Sequence, residues 1–220
     1  MPPKSNLGVD RTFRRRLLAW FRRSARDLPW RRTRDPYAIV VSEFMLQQTQ
    51  VARVLEYWPR FLKRYPTIQR LASARPTAVR EAWDGLGYYR RAANLHRLAR
   101  VVVRDYDGRV PDDPGELRKL PGVGHYTAGA VACFAYERPA ATVDTNVARV
   151  LGRVFGVAGV RKLIALHDAL QPRRGRSAWT FNQAVMELGA LVCRSRKPAC
   201  EMCPVSGVCR WFAVSRSAQD

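Results

Sequence analysis

Acidic side chains are scarce in this chain. Only 18 Asp plus Glu stand against 39 Lys plus Arg, which leaves a formal net charge of +21 on 220 residues. Part of that excess covers solvated faces, but a field so strong points to a polyanionic partner. The charge is not gathered in one tail: Arg14 to Arg16, Arg31 to Arg34, Arg90, Arg91, Arg173, Arg174 and Arg176 spread along the sequence. Long apolar runs are lacking too. None approaches the roughly 20 residues of a membrane-spanning helix, so the expected partner is nucleic acid and not a membrane. Runs of period-two alternation bounded by turn signals are missing, which argues against a fold built on sheets. There is no internal repeat, no low-complexity linker and no opening signal peptide.

Cysteine is also rare, with five in the whole chain, but four of them are clustered as Cys193-x6-Cys200-x2-Cys203-x5-Cys209. Disulfide frameworks spread their cysteines, so this spacing reads as one metal site. Four thiolates in a short loop suit a [4Fe-4S] cluster or a tetrahedral zinc. Zinc ribbons usually show two separated Cys-x2-Cys pairs; the single x2 pair here favours the cluster. Cys133, in the apolar run 130–135, reads as a buried structural thiol.

Hydrophobic residues make up 47% of the chain, ample for a core. They recur at helical spacing, as in Phe13, Leu17, Trp20 and Phe21, and again in Val54, Tyr57, Trp58, Phe61 and Leu62. Breaks fall at Leu28-Pro29, Tyr65-Pro66, Arg75-Pro76, Val110 to Pro114, Leu120 to Gly124 and Arg138-Pro139. The expected fold is all-α, with about ten helices, and the last eleven or so polar residues are expected to fray. Leu120-Pro121-Gly122-Val123-Gly124 precedes a helical stretch, 125–136. Two glycines around one apolar residue allow a hairpin that presents bare N–H groups at a helix N-terminus, where phosphate binds, with Val123 anchored in the core. Alone, the pattern is a weak signal that better describes an ordinary interhelical turn.

Taken with the basic charge and the cysteine loop, the hairpin makes the sequence resemble the helix-hairpin-helix DNA glycosylases that carry a C-terminal iron–sulfur loop. That superfamily includes endonuclease III, adenine glycosylases and thymine/uracil mismatch glycosylases. The resemblance implies a six-helix domain over residues 29–137. Residues 1–28 plus 138–220 would form a second, discontinuous domain with the cluster loop at 193–209, and DNA would bind across the cleft between them. It also assigns Leu120, Gly122, Val123 and Gly124 to DNA binding and Cys193, Cys200, Cys203 and Cys209 to the cluster.

Glu43 has Ile39, Val40 and Leu46 as helical neighbours. A carboxyl on that apolar face is costly unless paired or protonated, and burial would suit it to donate a proton near neutral pH. A Glu at a helix edge facing water is the plainer alternative. The stretch Ser42-Glu43-x-Met45-Leu46-Gln47-Gln48-Thr49-Gln50 resembles the adenine-glycosylase motif. There the matching glutamate protonates adenine, and Gln48 matches a side chain that wedges into the duplex. Gly85 to Tyr89 also matches, with Tyr88 as a second intercalating residue; both could otherwise be ordinary surface polarity and aromatic packing. Asp144 opens a helix, where aspartate is most often an N-cap. In the resembled family it stabilises the developing oxocarbenium ion at C1′, and Asn146 positions it and a water. Trp30, Arg31 and Gln183 match residues lining the base pocket.

Bifunctional relatives carry a lysine two residues after the second hairpin glycine, whose amine forms a Schiff base and nicks the strand. This chain has Tyr126 there, so a monofunctional glycosylase is expected. The blocks Gln47 to Gln50, Gly85 to Tyr89 with Asn94-Leu95-His96, and Phe181 to Ala190 favour removal of adenine opposite 8-oxoguanine or guanine. Thymine or uracil opposite guanine is the alternative, and a non-catalytic iron–sulfur DNA-binding or redox-sensing protein is the rival of another class. Adenine glycosylases usually continue into a C-terminal domain that reads 8-oxoguanine, whereas only 11 residues follow Cys209. Opposite-base recognition is then expected to rest on Gln48, Tyr88 and their neighbours. The expected partner is double-stranded DNA with a mismatched or damaged pair. The expected state is a monomer in a bacterial or archaeal cytoplasm, at the nucleoid.

Overall fold

The protein is described by a computed structural model that covers residues 7–217. Among the described residues there are twelve α-helices, two short 3-10 helices and no strand. In chain order the helices are α1 (Leu7–Ser24), α2 (Pro36–Leu46), α3 (Val51–Arg64), α4 (Ile68–Ala72), α5 (Pro76–Ala82), α6 (Arg90–Asp105), α7 (Pro114–Leu117), α8 (His125–Tyr136), α9 (Thr145–Phe155), α10 (Val160–Leu170), α11 (Gly175–Leu191) and α12 (Arg210–Ser217). The 3-10 turns are Pro29–Arg31 and Ser206–Val208. Two more α-helices form than periodicity suggested. The elements α4 and α7 have only five and four residues, too few to show a helical period. No helix among the described residues is long and apolar enough to cross a membrane.

The chain divides into two compact units, Asp27–Tyr136 and the discontinuous pair Met1–Arg26 with Glu137–Asp220. In the first unit α2 is central. Nine of its eleven residues are buried, and it packs on α3, α6 and α8. Its start follows from local chemistry: the Asp35 carboxylate accepts from the Tyr37 N–H at 3.0 Å, and Pro36 sits at the first helical position, where no N–H is needed. The same Asp-Pro device starts α7, where Asp113 accepts from Gly115 and Glu116. The helix α3 runs through Pro59 unbroken. Pro59 and Leu55, whose carbonyl loses its helical donor, are both exposed, so water can replace the lost bond.

The second unit is built on α1, α9, α10 and α11. Phe13, Leu17 and Phe21 from α1 join Val147, Val150, Leu151 and Val154 from α9 and Phe181, Ala184, Val185 and Leu188 from α11 in one core. Phe13 meets Phe155 and Phe181 edge-on, with ring centroids 5.2 and 6.4 Å apart. Gly189 lets α11 approach α9 closely: a Cβ there would lie 2.7 Å from the Asn146 Cβ and 3.0 Å from its carbonyl oxygen.

After α1 the chain is clamped by an ion pair whose carboxylate is buried and whose guanidinium is 34% exposed. The Arg26 backbone N–H and Nε donate to Glu187 Oε1 at 2.8 and 2.9 Å, and Nη2 donates to Oε2 at 2.8 Å. The Glu187 side chain is 1% exposed. Its charge and hydrogen bonds hold the Arg26 guanidinium above the usual arginine range. Removing one partner strands the other charge, which in buried pairs costs about 3–5 kcal/mol. Arg26→Ala is therefore expected to lower the unfolding free energy by about 3 kcal/mol in urea titration. A change within about 0.5 kcal/mol, the range of an ordinary surface substitution, would show that the carboxylate had found water instead.

The expectation of a frayed tail is corrected. Residues Arg210–Ser217 form α12, held on α9. The Arg153 guanidinium stacks over Trp211, 4.8 Å from the ring centroid. Polarity misled the reading, because the two aromatic residues of this helix, Trp211 and Phe212, share it with Arg210, Ser215, Arg216 and Ser217.

Candidate functional site

In the first unit, Glu43 lies on the last turns of α2 and is 4% exposed. Trp30, in the 3-10 turn, is also buried and meets Trp58 edge-on at 6.1 Å, while Arg31 is half-buried. The hairpin forms between α7 and α8. Leu120 and Val123 are buried, the Val123 N–H donates to the Leu120 carbonyl at 3.2 Å, and Gly124 stays exposed. Gly122 has φ +78°, and a Cβ on it would lie 2.8 Å from the Asn94 side chain and 3.0 Å from Phe44. No L side chain suits that place. Tyr126, in the first turn of α8, is partly buried.

Gln48 and Tyr88 lie in the loops after α2 and before α6, and both are exposed, Tyr88 at 61%. Each holds a left-handed backbone, with φ of 57° and 46°. Such values are uncommon for residues other than glycine, and they cluster at sites where the surrounding structure imposes them.

In the second unit, Asp144 caps α9. Its Oδ1 accepts from the Val147 N–H at 2.7 Å, and its Oδ2 accepts from Asn146 Nδ2 at 3.0 Å. Burial raises the Asp144 carboxyl above the usual aspartate range, and the hydrogen bonds from Val147 and Asn146 oppose that rise. N-cap and candidate catalytic group are thus one residue. Gln183 is buried on α11.

The same helix continues the chain of contacts. Arg149 Nη2 donates to Asn146 Oδ1 at 2.7 Å and to the Gly189 carbonyl at 2.8 Å, while its Nε donates to the Cys193 carbonyl at 2.7 Å. One turn on, Arg153 donates to the Arg194 and Ser195 carbonyls at 2.7 and 3.1 Å, and its Nη1 lies 3.5 Å from Cys193 Sγ. Arg149, Arg153, Arg26 and Arg91 were not singled out by the sequence. For Arg149 a signal existed, since it follows Asn146 by three residues and so shares its helix face.

Cys193, Cys200, Cys203 and Cys209 line one cavity with Val150, Val154, Leu188, Val205, Trp211 and Phe212. Burial raises the Cys200, Cys203 and Cys209 thiols, Cys203 to about 11, and the neighbouring thiolates push each of these three in the same direction. Four thiolates can gather here only around compensating positive charge. A tetrahedral zinc would need its sulfurs about 3.8 Å apart around one point. Among the described residues, no group of three His, Cys, Asp or Glu is drawn together in that way. Thiols set around a cavity instead fit a [4Fe-4S] cluster, which supplies cross-links that hold the loop closed.

Residues 41–170, more than half of the chain, match the HhH-GPD superfamily of base excision DNA repair proteins. The chain belongs to this superfamily. Residues 193–209 of this HhH-GPD protein match the iron–sulfur binding domain of endonuclease III, and the [4Fe-4S] cluster is its cofactor. It is 48% identical over 218 residues to the adenine DNA glycosylase of Mycobacterium tuberculosis, covering 96% of this chain and 71% of that one. Among solved structures it is similar to a thermostable thymine-DNA glycosylase, with a TM-score of 0.89, 34% identity and coverage of 94% and 98%. It is also similar to endonuclease III in a non-covalent complex with DNA, with a TM-score of 0.82, 25% identity and coverage of 94% and 96%.

Proposed function

We propose that this HhH-GPD protein is a monofunctional adenine DNA glycosylase of base excision repair. It hydrolyses the N-glycosidic bond of an adenine opposite 8-oxoguanine or guanine in duplex DNA and leaves an abasic site. The observation that carries the reading is the 48% identity to an adenine DNA glycosylase over nearly the whole chain. The net charge of +21 supports binding to DNA, and such binding weakens steeply with salt.

In this reading Gln48 and Tyr88 enter the duplex and fill the gap left by the extruded adenine. Trp30 and Arg31 in the first unit and Gln183 in the second are assigned to contact with the extruded base. Glu43, sealed from water, gives its proton to the adenine ring, so the electron pair of the C1′–N bond leaves with a neutral base. The Asp144 carboxylate faces the positive charge growing on the sugar, held by Val147 and Asn146. Water then bonds to C1′ and releases a proton, completing the abasic sugar. The hairpin N–H groups and the arginines of the cysteine loop meet phosphates. The protein acts as a monomer.

Similarity to a thymine-DNA glycosylase structure supports a second reading, in which thymine or uracil opposite guanine is removed. Single-turnover base release separates the two on four duplexes: adenine opposite 8-oxoguanine, adenine opposite guanine, thymine opposite guanine and uracil opposite guanine. Release from the adenine pairs alone is expected; release from the pyrimidine pairs alone would transfer the protein to the second reading. Monofunctional action has its own check. A phenol cannot form an imine, so strand cleavage is expected only after alkali. Tyr126→Lys should introduce a borohydride-trappable adduct and some nicking on a denaturing gel, and the lack of any adduct would remove Tyr126 from the neighbourhood of C1′.

A further inference from the structure

Arg91, near the start of α6, is an arginine buried to 7% exposure and held chiefly by main-chain carbonyls. Its Nη1 donates to the carbonyls of Phe44 and Met45 at 3.1 and 2.8 Å and to that of Gln47. Its Nη2 donates to the carbonyls of Leu86 and Gly87 at 3.1 and 3.2 Å and to Thr49 Oγ1 at 2.9 Å. No carboxylate is among these partners. The guanidinium carbon lies 5.5 Å from the Trp83 ring centroid and 5.4 Å from that of Tyr88.

These acceptors come from the end of α2 with the loop that follows it and from the loop before α6, and their positions are informative. The Gln47 carbonyl belongs to the peptide plane that leads into Gln48, and the Gly87 carbonyl to the plane that leads into Tyr88. Gln48 and Tyr88 are both exposed and both have left-handed backbones, as do the exposed Asp107 and Lys197 elsewhere in the chain, but only at Gln48 and Tyr88 does an Arg91 bond reach the preceding carbonyl. Rotation about φ turns a residue against its preceding peptide plane, so a fixed carbonyl on that plane fixes the reference from which φ is set. A single planar fork therefore anchors the peptide plane that enters each residue, and its guanidinium lies against the Tyr88 ring. A lysine ammonium offers three donors from one point and cannot span two loops in this way.

We propose that Arg91 is the positioning residue for base extrusion: it ties the Gln48 and Tyr88 loops together so that both side chains enter the duplex in register. The proposal rests on the reading of Gln48 and Tyr88 as inserting residues, and its test keeps the two apart. Extrusion is followed by the fluorescence of 2-aminopurine placed beside the target adenine, with each substitution made in the Asp144→Asn protein so that no base is released. Base release itself is followed in single turnover with Asp144 intact. Arg91→Lys is expected to fold, and to lower the 2-aminopurine signal and the rate of base release by on the order of tenfold to a hundredfold. In a protein already carrying Gln48→Ala and Tyr88→Ala the same change is expected to add almost nothing, because positioning has no side chains left to act through. Thermal melting of each variant reports on folding. Should Arg91→Lys fail to fold, Thr49→Val removes a single acceptor and is expected to give a smaller loss with the same non-additivity.

Wild-type extrusion and rate in Arg91→Lys, or in Thr49→Val if that variant takes its place, would overturn the proposal. So would a full, additive loss in the triple variant, which would mark Arg91 as a general stabiliser of the unit. If the Gln48→Ala, Tyr88→Ala protein itself extrudes and releases adenine like the wild type, the insertion reading fails and the proposal fails with it.

Discussion

Asp144→Asn is expected to abolish base release while leaving DNA affinity intact. Asparagine caps a helix as well as aspartate does, so its side-chain oxygen can still take the Val147 N–H and start α9. What disappears is the negative charge facing the sugar. Loss of one preorganised electrostatic group commonly costs on the order of 100- to 1,000-fold in rate. Here the expected fall is at the upper end, because the carboxylate is the group assigned to the charge at C1′. Single-turnover base release and a salt-titrated binding isotherm check the two halves. Turnover equal to the wild type would remove Asp144 from the mechanism.

The same substitution has a stability signature with a definite sign. Burial raises the folded-state affinity of Asp144 for its proton above the unfolded-state value. Between those two pKa values the folded protein binds more protons than the unfolded chain, so this group's contribution to stability falls as pH rises through the window. The contribution is fully present below the ordinary aspartate value near 3.9 and lost above the raised one. Asparagine has no such dependence. Relative to the wild type, the variant is therefore expected to gain stability as pH rises above the ordinary aspartate value near 3.9, whatever it loses by placing an amide opposite Asn146. Urea titrations on both sides of that value measure the trend, and a gap that narrows with rising pH would contradict the burial argument.

The parts of this molecule that were legible in the sequence share a physical cause. Side chains that choose between water and a core leave a period, which is why Phe13, Leu17, Trp20 and Phe21, and again Val54 to Leu62, read as helix faces. The helices α2 and α8 are buried along most of their length and leave little period, and Glu43 stood out only as a charge among Ile39, Val40 and Leu46. Backbone conformations open only to glycine leave glycines, which is why the hairpin read as a hairpin; Gly122 takes φ +78°. Thiol spacing marked the cysteine loop. What stayed hidden is a set of arginines whose acceptors are backbone carbonyls. Arg91 reaches Phe44, Met45, Gln47, Leu86 and Gly87, and Arg153 reaches Arg194 and Ser195. Every residue carries a carbonyl, so such partners leave no residue type to notice. In a chain with 39 basic residues the structural arginines are also indistinguishable from those that face phosphate.

Cys203→Ser is expected to cost the protein its iron and, with it, the order of the whole 193–209 loop. Serine keeps the size but replaces a soft sulfur by a hard oxygen that iron–sulfur clusters accept poorly. Without the cluster the loop is left with the buried Val205, the carbonyls held by Arg149 and Arg153, and its own turns. Its own backbone bonds are short-range turns, such as the Cys203 N–H to the Cys200 carbonyl and the Ser206 N–H to the Cys203 carbonyl. The cavity left behind is lined by Val150, Val154, Leu188, Trp211 and Phe212, which would face either a void or water. The loss then spreads along α9. Arg153 gives up the Arg194 and Ser195 carbonyls, Arg149 gives up that of Cys193, and Arg149 is the residue that holds Asn146, which holds Asp144. Since the energy of holding the metal group is part of the energy of folding, several kcal/mol of stability should go with it. Iron content, thermal melting and base release at saturating DNA are expected to fall together. A protein that lost its iron yet melted and turned over like the wild type would show that the side chains of the loop suffice, and that α9 is braced from α10 and α11 alone.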